Sequence, residues 1–394
     1  MTEAKLEPEI LEEVIKIRED IHMHPELGFE EVRTSKLIAE KLKELGFEVQ
    51  ENVAKTGVVG LLKGGAGEGK TILVRADIDA LPLQEMNDVS YKSIYDGKMH
   101  ACGHDAHIAI ALGVAMKLAR IKDQLKGNIK FVFQPAEEGP GGAKPMVEAG
   151  VLENPKVDAA VALHVAGLIP EGMIATKPKE FTAAADEFHV ILKGPGGHGS
   201  APHNTKDLVA IGSLVVQALN MITAREVDPL EPVVITVGKF SGGTRHNIIG
   251  DKAEIHGTIR SFNPEVRDYV NKRVKEIVKG ISELFGADVE IEMIRGYPPG
   301  YNDPKLTELV VRAAKKAIGE ENVVTDIKPI MGAEDFFEFS NGGKIPAVMF
   351  WVGVYNKEKG YIYENHSSKF DLGPKALETG VLVMSEVVKE YLSS

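Results

Sequence analysis

"TILVRADIDAL", residues 71–81, is the stretch on which the fold turns. Ile72, Leu73 and Val74 follow one another without alternating polar residues, the signature of a strand covered on both faces rather than one. Related apolar runs occur at "GVVGLLKG" (57–64), "IKFVFQP" (129–135) and "VDAAVALHV" (157–165). A helical pattern from about Asp105 to Ile121 and a shorter one near Met146 lie between them. Strands alternating with helices predict an α/β domain on a mixed, largely parallel sheet. Candidate functional residues then fall at the carboxyl ends of the runs: Asp77 and Asp79, Glu137 and Glu138, and His164. In open α/β sheets that edge is where ligands bind.

Upstream, Leu11, Val14, Ile17 and Ile21 recur at helical spacing, and "TSKLIAEKLKELG" (34–46) repeats the pattern and stops at Gly46. Downstream, between about 184 and 295, the texture changes to strand "EFHVILKG", helix "DLVAIGSLVVQALNMI", strands "PVVITVGKF" and "KAEIHGTIRSF", helix "EVRDYVNKRVKEIVKGISELF" and strand "DVEIEMI". This βαββαβ order predicts an inserted ferredoxin-like domain. The expected organisation is therefore a catalytic domain from residues 1–183 and 296–394, interrupted by an insertion at 184–295. After "YPPGYNDP" the α/β texture resumes with helix "KLTELVVRAAKKAIG", strand "PAVMFWVG" and helix "ALETGVLVMSEVVKEYL".

With 394 residues, the chain is long for one ordinary core and suggests two domains. Its single cysteine excludes an internal disulfide and points to the reducing cytoplasm. The acidic, amphipathic amino terminus does not read as a signal peptide, and no uninterrupted apolar run approaches membrane-span length. A formal net charge of −12 argues against a nucleic-acid partner, because phosphate binding needs a basic face.

That single cysteine, Cys102, lies in "MHACGHDAHIA" (99–109), two residues before His104. In a loop entering a helix both side chains can converge, and thiolate and imidazole are good zinc ligands. A lone free cysteine is more often a small buried hydrophobe. "FQPAEEGPGG" sets Glu137 beside Glu138 after a buried strand; neighbouring side chains there meet different surroundings, so one can hold metal while the other moves protons. A solvated acidic loop is the plain alternative. His164, and His366 in "ENHSSKFDL", would each read alone as structural histidines. Five N, O and S donors from separate loops at one sheet edge are what a two-metal centre requires.

Together these segments resemble the metal-dependent aminoacylase and carboxypeptidase family, in its amidohydrolase subgroup of hippurate hydrolases, N-acetyl-diaminopimelate deacetylases and auxin-conjugate hydrolases. "DIHMHPELGFEE", "RADIDALP", "MHACGHDAHIA", "FQPAEEGPGGA", "ALHV", "GGHGSAPH", "RHNIIGDKAEIHGTIRSF", "MGAEDF" and "ENHSSKFD" occur in the subgroup's order over nearly the whole chain. The resemblance implies a zinc-exopeptidase-like fold and two divalent ions per subunit, zinc foremost with manganese or cobalt as alternatives. It makes Cys102, His104, Glu138, His164 and His366 the ligands and Glu137 the general base. It also implies that the inserted domain dimerises and that His198, in "GGHGS", reaches a partner's site to stabilise the oxyanion, with Asn247 beside the substrate.

Arg260, on a strand expected to be half buried, needs an anionic partner: a substrate carboxylate or a structural Asp or Glu. Of Asp77 and Asp79, Asp79 is the one expected to orient a ligand histidine. His24 closes the first helix on the plainest reading, and Glu334 and Asp335 either line a pocket or cap a helix. The expected activity is hydrolysis of N-acyl amino acids or of carboxy-terminal residues of short peptides by a metal-activated water, in a cytoplasmic homodimer or larger homo-oligomer. Two rivals remain: a structural zinc protein, which would not need a spare carboxylate, and a cysteine hydrolase with Cys102 as nucleophile.

Overall fold

A computed structural model describes residues 5–394. The described residues divide into two compact units: the first is 5–181, 301–328 and 335–394, the second 182–300 with 329–334. The second unit thus extends the expected 184–295 insertion at both ends. Its short extra segment belongs there because Thr182 bridges Ile330 and the Ala183 N–H donates to the Gly332 carbonyl at 2.9 Å.

The first unit begins with α1 (Pro8–Met23), α2 (Val32–Glu44), β1 (Glu48–Val53), β2 (Gly57–Lys63), β3 (Thr71–Asp77), α3 (His104–Ala119), β4 (Asn128–Gln134), α4 (Ala143–Glu148), β5 (Ala159–Pro170), β6 (Ile174–Ala175) and β7 (Lys179–Thr182). The second unit contributes β8 (Ala184–Lys193), β9 (Gly197–His198), α5 (Leu208–Met221), β10 (Val233–Gly242), β11 (Ile248–Ile249), β12 (Lys252–Ser261), α6 (Pro264–Phe285) and β13 (Asp288–Arg295). β14 (Gly300–Asn302), α7 (Pro304–Ile318), β15 (Val323–Val324), β16 (Ala347–Tyr355) and α8 (Pro374–Leu392) complete the chain.

An eight-stranded sheet in the order β1-β2-β4-β3-β5-β16-β6-β15 organises the first unit. β3 runs parallel to both β4 and β5, β16 parallel to β5, and the antiparallel pairs are β1/β2, β2/β4 and β16/β6. The mixed, largely parallel sheet read from "TILVRA" is present, and all seven residues of β3 are buried. Ile72, Val74 and Ala76 enter a core with α1, α3 and α8, whereas Leu73 faces a second core with Met146, Phe181 and Phe336. Burying Ile72, Leu73 and Val74 contributes about 1.5–3 kcal/mol each. In α1 the buried face is Ile10, Val14, Ile17 and Ile21, with Leu11 at its margin.

The strand also carries a charge that periodicity does not announce. Arg75, 2 % exposed, donates to Asp77 at 2.7 Å, Gln134 at 2.8 Å and Asp335 at 3.1 Å. A guanidinium with planar, fixed donors can be buried only when matched in this way. Asp335 also accepts the N–H of Ala143, the first residue of α4, so of its two expected roles it performs the capping one.

In the second unit the four-stranded antiparallel sheet β10-β12-β8-β13 is joined by α5 and α6 in the order βαββαβ. Asp186, buried in β8, receives two hydrogen bonds from Arg267 of α6, at 2.8 and 2.5 Å. Its partner residues hold its pKa below the usual value against the opposing effect of burial. Among the described residues one helical stretch, Leu208–Glu226, is long and apolar enough by composition to cross a membrane, with mean hydropathy 1.5 over its 18-residue window. It is α5 with its terminal turn, and Leu208, Ile211, Val215 and Leu219 pack into the core of this unit.

Candidate metal centre

Cys102 lies in the turn before α3 and His104 is its first helical residue, with Gly103 between them at φ +89°. That left-handed backbone, readily adopted by glycine, aims both side chains to one side. Cys102 Sγ, His104 Nε2 and a Glu138 oxygen come within 4.8 Å of one another. Cys102 Sγ is 3.4 Å from His164 Nε2, and His366 Nε2 is 3.1 Å from Glu138 Oε1. The structure therefore gathers all five expected ligands. Glu137 Oε2 stands 3.9 Å from His104 Nε2, at the same distance as Glu138 Oε1.

His164 requires one correction. The apolar run suggested a strand ending there, but β5 continues to Pro170. The sheet nevertheless opens at this point, because β3 and β5 last pair at Arg75 and Ala162 while β5 goes on beside β16 alone. His366 sits in a loop at φ +67°, its backbone N–H donating to the Ala101 carbonyl at 2.8 Å.

Hydrogen bonds decide which ring nitrogens are available. His164 Nδ1 donates to the Val165 carbonyl at 2.7 Å, which leaves Nε2 as the lone-pair atom. His104 Nδ1 is 3.2 Å from Asp79 Oδ1, and the other Asp79 oxygen accepts the Glu138 N–H at 2.9 Å. Asp79 thus steadies two of the five candidates at once. Asp77 serves another ring: its Oδ1 is 2.5 Å from His107 Nδ1. His107 Nε2 accepts the Val165 N–H at 2.9 Å, so both of its nitrogens are engaged and it is no candidate ligand.

Sequence reasoning missed His107, and a second histidine one turn along the helix from His104 was the available signal. It also missed Asn365, whose amide donates to the carbonyls of Cys102 at 2.9 Å and Val165 at 3.1 Å. Nothing but its place beside His366 marked it.

Burial, then Glu138, Glu137 and Asp77, push the Cys102 thiol pKa well up. Burial lowers the His104 pKa, but Asp77, Asp79 and Glu138 outweigh it and bring the ring up to about 10. Burial and His107 push His164 down to about 3 and keep it neutral. His104 Nε2 is buried with no hydrogen-bond partner among the described residues, and Glu138 Oε1 has only the ion-pair contact with His366 at 3.1 Å. Under-satisfied buried polar atoms are costly, and a divalent cation among S, N and O donors, taking the place of the proton on His104 Nε2, satisfies them. The residues fit divalent metal.

Asp79→Asn tests the orienting contact. Both groups facing Asp79 are N–H donors, so an amide must turn its own NH2 against one of them. Metal affinity is expected to fall about 10–100-fold, read by metal titration of the chelated protein; unchanged affinity would remove Asp79 from the site.

The remaining candidates lie on the second unit. His198 and Ile248 pair in the β9/β11 ribbon, and the Gly199 N–H donates to the Asn247 carbonyl at 2.9 Å, so His198 and Asn247 are neighbours. His198 Nδ1 accepts the Ser200 N–H at 3.1 Å, which puts the ring proton on an exposed Nε2. Arg260, on β12, is half buried, and its side chain makes no hydrogen bond or ion pair among the described residues.

Residues 73–390 match peptidase family M20/M25/M40. Thermostable carboxypeptidase 2 of Saccharolobus solfataricus is 44 % identical over 378 residues, covering 95 % of this chain and 94 % of its own. N-acetyldiaminopimelate deacetylase of Priestia megaterium is 39 % identical over 376 residues, covering 95 % and 97 %. The crystal structure of a dinuclear metal-binding M20 peptidase from Bacillus subtilis superposes with a TM-score of 0.84 at 32 % identity, covering 98 % of this chain and 99 % of that one. With a matching family span of this length, and relatives this similar along their whole length, the chain belongs to peptidase family M20/M25/M40 and is a hydrolase of amide or peptide bonds.

Proposed function

We propose that this hydrolase cleaves the amide bond next to a free carboxylate, in N-acyl amino acids or at the carboxy terminus of short peptides, with two divalent ions held by Cys102, His104, Glu138, His164 and His366. The observation that carries the reading is the convergence of the five donors, with His104 Nε2 buried among them and without a hydrogen-bond partner among the described residues. Bound there, divalent ions would polarise the scissile carbonyl and lower the pKa of water to about 7. Glu137 accepts the proton of the attacking water and passes it to the leaving amine nitrogen. Asp79 holds the Nδ1–H of His104, so that Nε2 is the nitrogen that gives up its proton to metal.

On the second unit, the exposed Nε2–H of His198 is suited to donate to the oxyanion, and Asn247 to contact substrate. Arg260, lacking a carboxylate partner of its own, is assigned the substrate carboxylate. The face of α5 turned away from its core mixes exposed Gln217 and Asn220 with three large apolar side chains, Val209, Leu214 and Met221, all at least 40 % exposed, and this apolar area supports a homodimer through this unit. Zinc is the proposed metal, since the donor set includes a thiolate. An unpaired buried thiol supports a cytoplasmic location.

The test is metal content measured with release of amino acids from N-acetyl and N-benzoyl amino acids and short peptides, before and after EDTA, with zinc, manganese or cobalt added back. About two ions per chain and activity restored by add-back are expected, and the preferred substrate separates deacylase from carboxypeptidase. Hydrolysis that survives EDTA but is lost on alkylation would return Cys102 to the role of nucleophile. Tightly held metal without any hydrolysis would favour a structural site.

A further inference from the structure

The segment "HPELGFEE", residues 24–31, follows α1. His24 ends the helix by donating from Nδ1 to the Asp20 carbonyl at 2.7 Å. Beyond it the chain runs beneath the loops that carry the site. Leu27 bridges Ala80, and the Ala80 N–H donates to the Glu26 carbonyl at 2.8 Å. Gly28 touches the next loop so closely that a Cβ there would lie 3.0 Å from Ala136 Cβ and 3.1 Å from the Gly139 carbonyl oxygen.

Glu31 completes this cradle, and it is fully buried. Its Oε1 accepts the Ala136 N–H at 2.9 Å and its Oε2 accepts the Thr56 hydroxyl at 2.5 Å. Among the described residues no cation pairs with it, so the carboxyl is buried without the compensation such groups normally need. Ala136 has φ +52°, a left-handed conformation unfavourable to a residue with a Cβ. Two unfavourable features thus meet at one hydrogen bond, immediately before Glu137. On the other side of Glu137, the Glu138 N–H is held by Asp79 at 2.9 Å. The peptide N–H groups flanking the base are each fixed by a buried carboxylate.

We propose that Glu31 is a positioning residue for the Glu137–Glu138 pair: by holding the Ala136 N–H it fixes the left-handed turn that presents both side chains to the metal-binding cluster. This rests on the assignment of Glu137 and Glu138 given above. It gives the otherwise unused motif after α1 a place in catalysis, although Glu31 itself touches neither metal nor substrate.

Glu31→Ala and Glu31→Gln test it by two readouts: amide hydrogen exchange at Ala136 in the metal-free protein, and kcat and KM at matched metal content. Glu31→Ala should lower Ala136 protection and kcat each by roughly 10–100-fold, the cost of one charge-assisted hydrogen bond, with KM and bound metal unchanged. Glu31→Gln, whose amide oxygen can still accept from Ala136 while the Thr56 hydroxyl reverses, should recover most of both. Wild-type kcat in Glu31→Ala, or an effect confined to thermal stability, would overturn the proposal. So would a Gln variant as impaired as Ala. Should Glu31→Ala not fold, Glu31→Asp, one methylene too short to keep the Ala136 N–H and the Thr56 hydroxyl together, takes its place, and wild-type exchange and kcat in it would likewise overturn the proposal. Wild-type protein and Glu137→Gln run alongside: a wild-type chain that hydrolyses no amide defeats the functional assignment itself, whereas an active wild type beside an unimpaired Glu31→Ala defeats only the role of Glu31.

Discussion

Glu137→Gln is expected to lower kcat about 10²–10⁴-fold, the usual contribution of a general base, while bound metal and KM stay at wild-type values. The substitution is nearly isosteric and removes the proton acceptor without emptying the space it fills. Glu137 and Glu138 stand equally far from His104 Nε2, at 3.9 Å, so distance alone does not separate base from ligand. Their other contacts do. Glu138 lies beside Cys102 and His366 and its backbone N–H is tied to Asp79. Glu138 is therefore built into the ligand cluster from both its side chain and its backbone. Loss of metal together with activity in Glu137→Gln would exchange the two roles. The measurement is metal content and steady-state kinetics on the same preparation.

The sheet was legible because burial on both faces leaves a direct trace, the unbroken Ile72–Leu73–Val74 run. The donors were legible because Cys102, His104, Glu137, Glu138, His164 and His366 are chemically unusual where they stand, even though each alone had a plainer explanation. The residues around them left no such trace. Arg75 sits in a buried strand and is explained only by Asp77, Gln134 and Asp335; Gln134 and Asp335 lie 59 and 260 residues away in the chain. Asp77 and Asp79 share one short motif, yet the structure sends Asp77 to His107 and Asp79 to His104. Which histidine each meets depends on how α3 packs against the end of β3, and local periodicity does not encode that. Glu31 looks like one more acidic residue in an acidic segment; only its burial and its bond to Ala136 distinguish it.

Gly103→Ala should weaken metal binding strongly while leaving most of the fold intact. Gly103 is the residue between two ligands and takes φ +89°, where an L side chain is strained by roughly 1–2 kcal/mol. A Cβ placed there would also lie 2.3 Å from Val165 Cγ2 and 3.2 Å from the Phe370 ring. Such overpacking typically costs about 1–3 kcal/mol, and both neighbours belong to ligand-bearing segments. Val165 follows His164 and supplies the carbonyl that fixes its tautomer, and Phe370 lies four residues after His366. Whether the turn relaxes or the neighbours retreat, Cys102 and His104 lose their alignment with His164 or His366. The combined strain of roughly 2–5 kcal/mol, at about 1.4 kcal/mol per tenfold, corresponds to a loss of metal affinity of roughly 30- to 4,000-fold. Titrating chelated protein with cobalt and following thiolate-to-metal absorption reports directly on Cys102. Wild-type affinity in Gly103→Ala would mean that the backbone between the two ligands does not set the site, and that the alignment comes from Asp79 and the loop holding His366.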